Sequence, residues 1–300
     1  MEEVDVKVAL TGADGLLGGE LGAVLKDGGY DLAPILERDV DIVDAAAVRA
    51  GLRDIAPELL IHCASYTRVD SAESDIDRVY AVNAFGTFHL ARTAAELDCR
   101  FVYISTDYVF DGALDRPYRP EDEPAPLNVY GRSKLAGEML VRTYAPSWTI
   151  IRSSSLYGHN GNGFPEKLCR RAIGGGELRV VEDQISSPTY APELARGIVE
   201  LLEAAEGGVY HLTNTGAVSW YEFARVLAEE LGLPNELTPV SSSEFDAPAR
   251  RPAYSALDNT AARELGVELR PWRSALREYL EREAEELRTL AGLPSGGEGS

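Results

Sequence analysis

Apolar and polar positions follow two rhythms along the first half of the chain. Short, β-branched apolar runs at Val4–Leu10, Tyr30–Leu36, Glu58–Ala64, Arg100–Ser105 and Trp148–Arg152 have the length and residue types of buried strands. Amphipathic stretches lie between them. Asp44–Ile55 places Asp44 where a helix N-cap belongs, and Ser71–Leu97 is long enough for more than one helix. Repeated strand and helix predict an α/β fold, a doubly wound parallel sheet covered on both faces. Beyond Tyr157 the rhythm loosens into a glycine run at Gly174–Gly176 and a proline-rich stretch at Ala247–Pro252. Helical patterns follow at Pro192–Ala205, Ser219–Leu231 and Pro271–Leu290. This predicts a smaller C-terminal substrate-binding lobe, with residues 1–152 as the first domain, 153–290 mainly as the lobe with some segments returning to the first domain, and 291–300 as a flexible tail. No internal repeat is present.

The first strand runs into Thr11-Gly12-Ala13-Asp14-Gly15-Leu16-Leu17-Gly18, and the apolar face Leu17, Leu21, Val24 and Leu25 follows as a helix. Glycines at this spacing let backbone N–H groups approach a pyrophosphate, and the helix N-terminus adds its partial positive charge. A glycine turn that merely packs would share the pattern. Its place at the first strand-to-helix junction favours a dinucleotide. An acidic residue about 20 positions further on would meet the ribose of NAD, whereas an arginine would meet the 2′-phosphate of NADP. Glu37, Asp39, Asp41 and Arg38 all stand there, so the choice between NADPH and NADH stays open.

Asn128-Val129-Tyr130-Gly131-Arg132-Ser133-Lys134 opens a second helical pattern in which Tyr130 and Lys134 share a face. An ammonium beside a phenol stabilises the phenolate, so the pair can hand a proton to a ketone as it becomes an alkoxide. Such a pair also arises on solvated helix faces. Upstream, Arg100-Phe101-Val102-Tyr103-Ile104-Ser105-Thr106-Asp107-Tyr108 reads as a buried strand with a polar end. Open α/β sheets bind ligands at that end, and a hydroxyl from Ser105 or Thr106 could hold the oxygen that Tyr130 protonates.

Composition narrows the reading. The 300 residues carry 49 acidic against 29 basic side chains, a formal charge of −20, and only Lys7, Lys26, Lys134 and Lys167 are lysines. Such a surface repels nucleic acid and anionic membranes, and a phosphorylated substrate needs local arginines to enter. No apolar run approaches a membrane span and the acidic start lacks a signal peptide's basic flank, so a cytoplasmic protein is expected. Cys63, Cys99 and Cys169 are widely spaced and the four histidines form no ligand pattern. Free thiols and no metal are expected.

Together the glycine turn, the hydroxyl at a strand end and Tyr-x-x-x-Lys resemble the extended short-chain dehydrogenase/reductase superfamily. Ser105-Thr106-Asp107-Tyr108-Val109-Phe110-Asp111-Gly112, Pro126-Leu127-Asn128-Val129-Tyr130-Gly131, Lys134-Leu135-Ala136-Gly137-Glu138, Asp183-Gln184, Ser187-Pro188-Thr189, Tyr210-His211-Leu212, Trp220-Tyr221 and Pro248-Ala249-Arg250-Arg251-Pro252 resemble its dTDP-4-dehydrorhamnose reductase family. The resemblance spans Val8 to about Tyr279. It implies a Rossmann-like doubly wound parallel sheet, and hydride transfer from NADPH or NADH to the 4-keto group of a nucleotide-activated 6-deoxysugar, dTDP-4-dehydro-L-rhamnose being reduced to dTDP-L-rhamnose. Thr106, Tyr130 and Lys134 would be catalytic. Gly12, Asp14, Gly15, Leu16, Leu17, Gly18, Arg38, Asp41, Ile42, Cys63, Ala64, Ser65 and Thr67, with Tyr130 and Lys134, would contact the cofactor. Val69, Thr106, Asp107, Tyr130, Ser155, Gln184, Arg250 and Arg251 would contact the nucleotide sugar. The resemblance leaves a homodimer open.

One departure stands out. Family members commonly read Thr-Ser-Trp after the strand arginine, whereas this chain reads Ser153-Ser154-Ser155. An aromatic wall is lost, so either another ring such as Tyr157 or Phe164 replaces it or the substrate differs. Two rival functions share the scaffold: a sugar-nucleotide epimerase or dehydratase with tightly bound NAD, and a non-catalytic partner like the methionine adenosyltransferase β subunit. The complete Thr106, Tyr130 and Lys134 set argues for an enzyme.

Overall fold

The structure, a computed structural model, describes residues 6–159 and 163–294. The first lobe begins β1 (Lys7–Thr11), α1 (Leu16–Asp27), β2 (Asp31–Ile35), α2 (Ala45–Ile55) and β3 (Leu59–His62). It continues with α3 (Val69–Ala72), α4 (Ile76–Tyr80), a π-helical turn over Ala81–Gly86, α5 (Thr87–Glu96), β4 (Arg100–Thr106), α6 (Val129–Tyr144) and β5 (Trp148–Ser153). After it come β6 (Leu156–Tyr157), α7 (Phe164–Ala172), β7 (Glu177–Val181), β8 (Ile185–Ser186), β9 (Thr189–Tyr190), α8 (Ala191–Ala204), β10 (Gly208–His211) and β11 (Val218–Ser219). The chain ends with α9 (Trp220–Leu231), β12 (Glu236–Val240), α10 (Thr260–Arg263) and α11 (Trp272–Leu290).

The main sheet has six parallel strands in the order β2-β1-β3-β4-β5-β10, the doubly wound arrangement expected. Strand alternation sends successive side chains to opposite faces. Val8, Leu10, Leu59, Ile61, Val102, Ile104 and Ile151 pack on one face against Leu17, Leu21 and Leu25 of α1 and Leu194, Ile198 and Leu201 of α8. On the other face Ala9, Leu60, Phe101, Tyr103 and Ile150 meet Val48 and Leu52 of α2, Leu90 of α5 and Val141 of α6. Burial on both faces explains the nearly continuous apolar runs in these strands. Strand order reverses between β1 and β3, which opens a crevice at their carboxyl ends.

Local chemistry sets the boundaries. Asp44 caps α2 by accepting from Ala46 N and Ala47 N at 2.8 and 3.1 Å. Ser71–Leu97 is not one helix: it breaks after α3, resumes at α4 and passes through the π turn into α5. No strand was expected at β10, whose short Val209-Tyr210-His211 run pairs only with β5. Both α8 and β10 therefore belong to the first lobe although they follow residue 152.

The second lobe packs α7, α9 and α11 around Tyr157, Leu168, Tyr190, Phe223, Leu227, Leu276 and Tyr279, with β7 and β12 as a parallel pair. Of the expected tail, Ala291 is buried and Leu293 packs on this cluster, and residues 295–300 lie outside the described residues. Among the described residues no helix is long and apolar enough to cross a membrane.

Candidate active site

At the end of β1 the chain turns through Gly12, whose φ of +66° is left-handed and whose added Cβ would lie 2.7 Å from Ala64 N at the end of β3. A glycine is required for this close passage. A Cβ on Gly18 would overlap the Gly12 carbonyl, so the first turn of α1 also sits directly on the loop. Gly15 is the N-cap of α1 and supplies no side-chain cap. The opening N–H groups of a helix have no acceptor within it, so the turn from Leu16 to Gly18 can receive an anion. Asp14 is exposed beside it, and the Leu17 side chain is spent in the core.

Past β2, Arg38 extends into solvent with its side chain 75% exposed and approaches Asp39 at 3.9 Å. The nearby acids are engaged locally: Glu37 pairs with Arg78 at 3.1 Å, and Asp41 accepts from Val43 N at 3.0 Å. Ile42 is a packing residue, buried against the π turn where a Cβ on Gly86 would approach it to 2.8 Å. Past β3, the segment Cys63-Ala64-Ser65-Tyr66 is braced by Asn83, which the sequence reading did not single out. Asn83 Oδ1 accepts from Ser65 Oγ and Tyr66 N at 3.0 and 2.8 Å, and its Nδ2 donates to Tyr66 O and Ser133 Oγ at 3.1 and 2.9 Å. The π turn that carries Asn83 is a local irregularity of the kind that gathers at functional sites. Thr67 is exposed beyond it. Burial pushes the Cys63 thiol up to about 12, against the opposing pull of Lys134, so it stays protonated. All three cysteines are free.

Thr106, Tyr130 and Lys134 come together at the carboxyl end of β4. Asn128 starts α6 by accepting from Gly131 N at 2.8 Å, and its Nδ2 donates to Arg250 O at 2.9 Å. A Cβ on Gly131 would overlap Tyr108 O, so only glycine lets α6 press Tyr130 this close to β4. The Tyr130 hydroxyl is hydrogen-bonded to Thr106. Burial nonetheless holds this phenol well above the ordinary tyrosine range. Lys134 is buried, donates to Ile104 O at 2.7 Å and lies 4.1 Å over the Tyr103 ring. Burial lowers it to about 7, while Glu138 and Cys63 pull the other way. Ser105 faces away from Tyr130 and donates to Glu138 at 2.6 Å, which leaves Thr106 as the hydroxyl on the Tyr130 side.

A cleft beside this group is lined by Tyr108, Ser155, Gln184, Ser186, Trp220 and Ser255. Ser155 donates to Ser186 at 2.9 Å. Neither Tyr157 nor Phe164 lines this cleft. Tyr157 is buried in the second core, and Phe164 backs Trp220 with ring centroids 4.5 Å apart. Trp220 is the tryptophan that lines the cleft together with Ser155. Val69 opens α3. Arg250 is exposed, whereas Arg251 is engaged by Asp70 at 2.7 Å and by Ala249 O at 3.1 Å. Asp107 is 2% exposed and bonded to hydroxyls of the protein, so it stands behind the cleft wall. A surface groove between Pro57, Glu58, Asp98 and Arg100 opens at the amino ends of β3 and β4, opposite the site.

The family model described as "RmlD substrate binding domain" matches residues 6–285. A dTDP-4-dehydrorhamnose reductase from Mycobacterium tuberculosis is 42% identical over 297 residues, covering 96% of this chain and 97% of the relative. This chain belongs to the dTDP-4-dehydrorhamnose reductase family. The Bacillus subtilis spore coat polysaccharide biosynthesis protein SpsK is 41% identical and covers 92% of this chain and 97% of its own length. The crystal structure of dTDP-4-dehydrorhamnose reductase from Bacillus anthracis in complex with NADP superposes with a TM-score of 0.89 at 38% identity, covering 93% of this chain and 99% of that one. Family membership agrees with the motifs at the ends of β1 and β4 and on α6.

Proposed function

We propose that this chain reduces the 4-keto group of a nucleotide-activated 6-deoxysugar with NADPH, and that dTDP-4-dehydro-L-rhamnose is the substrate. The observation that carries the reading is the convergence of Tyr130, Thr106 and Lys134 beside the glycine cradle of Gly12 and Gly18. The cradle fits a dinucleotide pyrophosphate, because a Cβ at either glycine would fill it. Arg38 at the end of β2 suits a 2′-phosphate, since its planar fork binds two oxygens at once. The bound cofactor supplies the hydride. Tyr130 gives its proton to O4, Lys134 stabilises the phenolate left behind and reaches the cofactor ribose, and Thr106 orients the carbonyl. Arg250 would meet the diphosphate, and Gln184, Ser155 and Trp220 the sugar and base. Arg251, tied to Asp70, braces the loop that carries Arg250.

The test is oxidation of NADPH and NADH, followed at 340 nm, with dTDP-4-keto-6-deoxysugar supplied by an upstream dehydratase and epimerase. Stoichiometric consumption that depends on the sugar supports the reductase. A protein that purifies with NAD attached and consumes none would be an epimerase instead. Gly12→Ala is expected to raise the NADPH dissociation constant about fivefold or more, as the loop must shift away from Ala64 to relieve about 1–3 kcal/mol of left-handed backbone strain. Isothermal titration would measure it, and binding within twofold of wild type would remove Gly12 from the cradle.

A further inference from the structure

We propose that Asp107 is a positioning residue whose neutral form turns Thr106 into a hydrogen-bond donor toward the substrate carbonyl. The inference rests on the reductase reading above. Asp107 Oδ2 accepts from Ser154 Oγ at 2.8 Å and from Ser255 Oγ at 2.6 Å, and Oδ1 accepts from Thr106 Oγ1 at 3.0 Å. A hydroxyl has one proton and two lone pairs. With Asp107 ionised, the Thr106 proton points at Oδ1, and Tyr108 N occupies a lone pair at 3.2 Å. Thr106 then has only its remaining lone pair, which meets the Tyr130 hydroxyl and repels a carbonyl oxygen.

When Asp107 takes up one proton from solvent, Oδ2 is already filled by two donors, so the proton resides on Oδ1. The bond to Thr106 then reverses. The carboxyl donates to Thr106 Oγ1, and the Thr106 proton is released toward the carbonyl, where it shares with Tyr130 the charge that grows on O4. The groups facing Asp107 permit this. Ser154 and Ser255 approach from the end of β5 and from the loop before α10, and the phenols of Tyr108 and Tyr130 complete the surroundings. Arg251 and Asp70 lie behind Tyr108 and are paired with each other. No cation hydrogen-bonds the carboxyl among the described residues, and burial lifts it to about 6 against the opposing hydroxyls and the Asp107 backbone N–H.

The experiment measures kcat/KM against pH with NADPH and the keto sugar for wild type, Asp107→Asn, Thr106→Val, the double variant and Ser255→Ala. An asparagine amide donates to Thr106 at every pH while its oxygen keeps both serines. Wild-type activity should fall about tenfold per pH unit above the Asp107 transition, and the ratio of Asp107→Asn to wild type should rise at least tenfold across that fall. Discharge of Lys134 affects both proteins and cancels in the ratio. The rise should vanish in the Thr106→Val background. Ser255→Ala removes a donor that favours the anion, so the wild-type fall should move to higher pH. This arm stands on its own should the asparagine variant not fold. A ratio that is flat with pH, a rise that survives without the Thr106 hydroxyl, or an unmoved fall in Ser255→Ala overturns the inference alone. Absence of any sugar-dependent oxidation by wild type overturns the reductase reading and this inference with it.

Discussion

Tyr130→Phe should lower kcat by about 10²–10⁴-fold, the usual worth of a positioned general acid, while the NADPH dissociation constant changes little. The substitution removes one hydroxyl and keeps the ring, which meets Tyr108 edge-on with centroids 6.0 Å apart. Burial keeps the Tyr130 phenol protonated well beyond neutral pH, so the wild-type group enters the reaction as an acid. Lys134 should not move in the variant, because the Ile104 carbonyl and the Tyr103 ring hold it, and the cofactor contact proposed for its ammonium would survive. Steady-state kinetics with fluorescence titration of NADPH separate the two quantities. A kcat within tenfold of wild type would show that another group delivers the proton.

The second large effect is on stability. Arg152 and Glu138 are both 0% exposed and form a two-pronged pair, Nε to Oε1 at 2.8 Å and Nη2 to Oε2 at 2.7 Å. Ser105 adds a third donor to the same carboxylate, and the guanidinium lies 5.0 Å from the Phe110 ring centroid. Glu138→Ala would leave a buried cation unpaired, at about 3–5 kcal/mol, which for a chain of this size lowers the melting temperature by on the order of 10 °C. Replacing both members, as in Glu138→Leu with Arg152→Met, should cost markedly less, since apolar residues of similar volume need no countercharge. Calorimetry on the single and double variants decides it. A single variant that melts within 2 °C of wild type would show that water or relaxation reaches Arg152.

The parallel sheet was legible because β1, β3, β4 and β5 are buried on both faces and read as nearly continuous apolar runs, whereas β2 lies at the exposed edge. Thr106, Tyr130 and Lys134 could be named for a related reason: each sits at a fixed offset from an element boundary that the sequence marks, the polar end of β4 or the Asn128 cap of α6. Long-range partners left no such mark. Asn83 lies inside what reads as ordinary helix, and nothing near it foretells that its amide will brace Ser65, Tyr66 and Ser133. Ser154 and Ser255 are 101 positions apart yet close on one carboxylate oxygen. Asp107 reads as a polar residue ready to meet a ligand, and only the fold reveals that protein hydroxyls already occupy it. Trp220 is similar: its pattern belongs to the start of a helix, and its place in the cleft with Ser155 goes with the bond from its N–H to Gln184 O.

The chain's return to the main sheet after residue 152 bears on anyone who would exchange substrate specificities between relatives. A graft cut at residue 152 would strip the outer strand from β5 and the whole of α8 from the α1 face, exposing Val102, Ile104 and Ile151. Residues 191–211 must therefore travel with the nucleotide-binding half. The transferable cassette is more broken still, because Leu212, Ala262, Val267 and Leu269 also pack in the core of the main sheet, so the chain beyond His211 cannot be moved as one block.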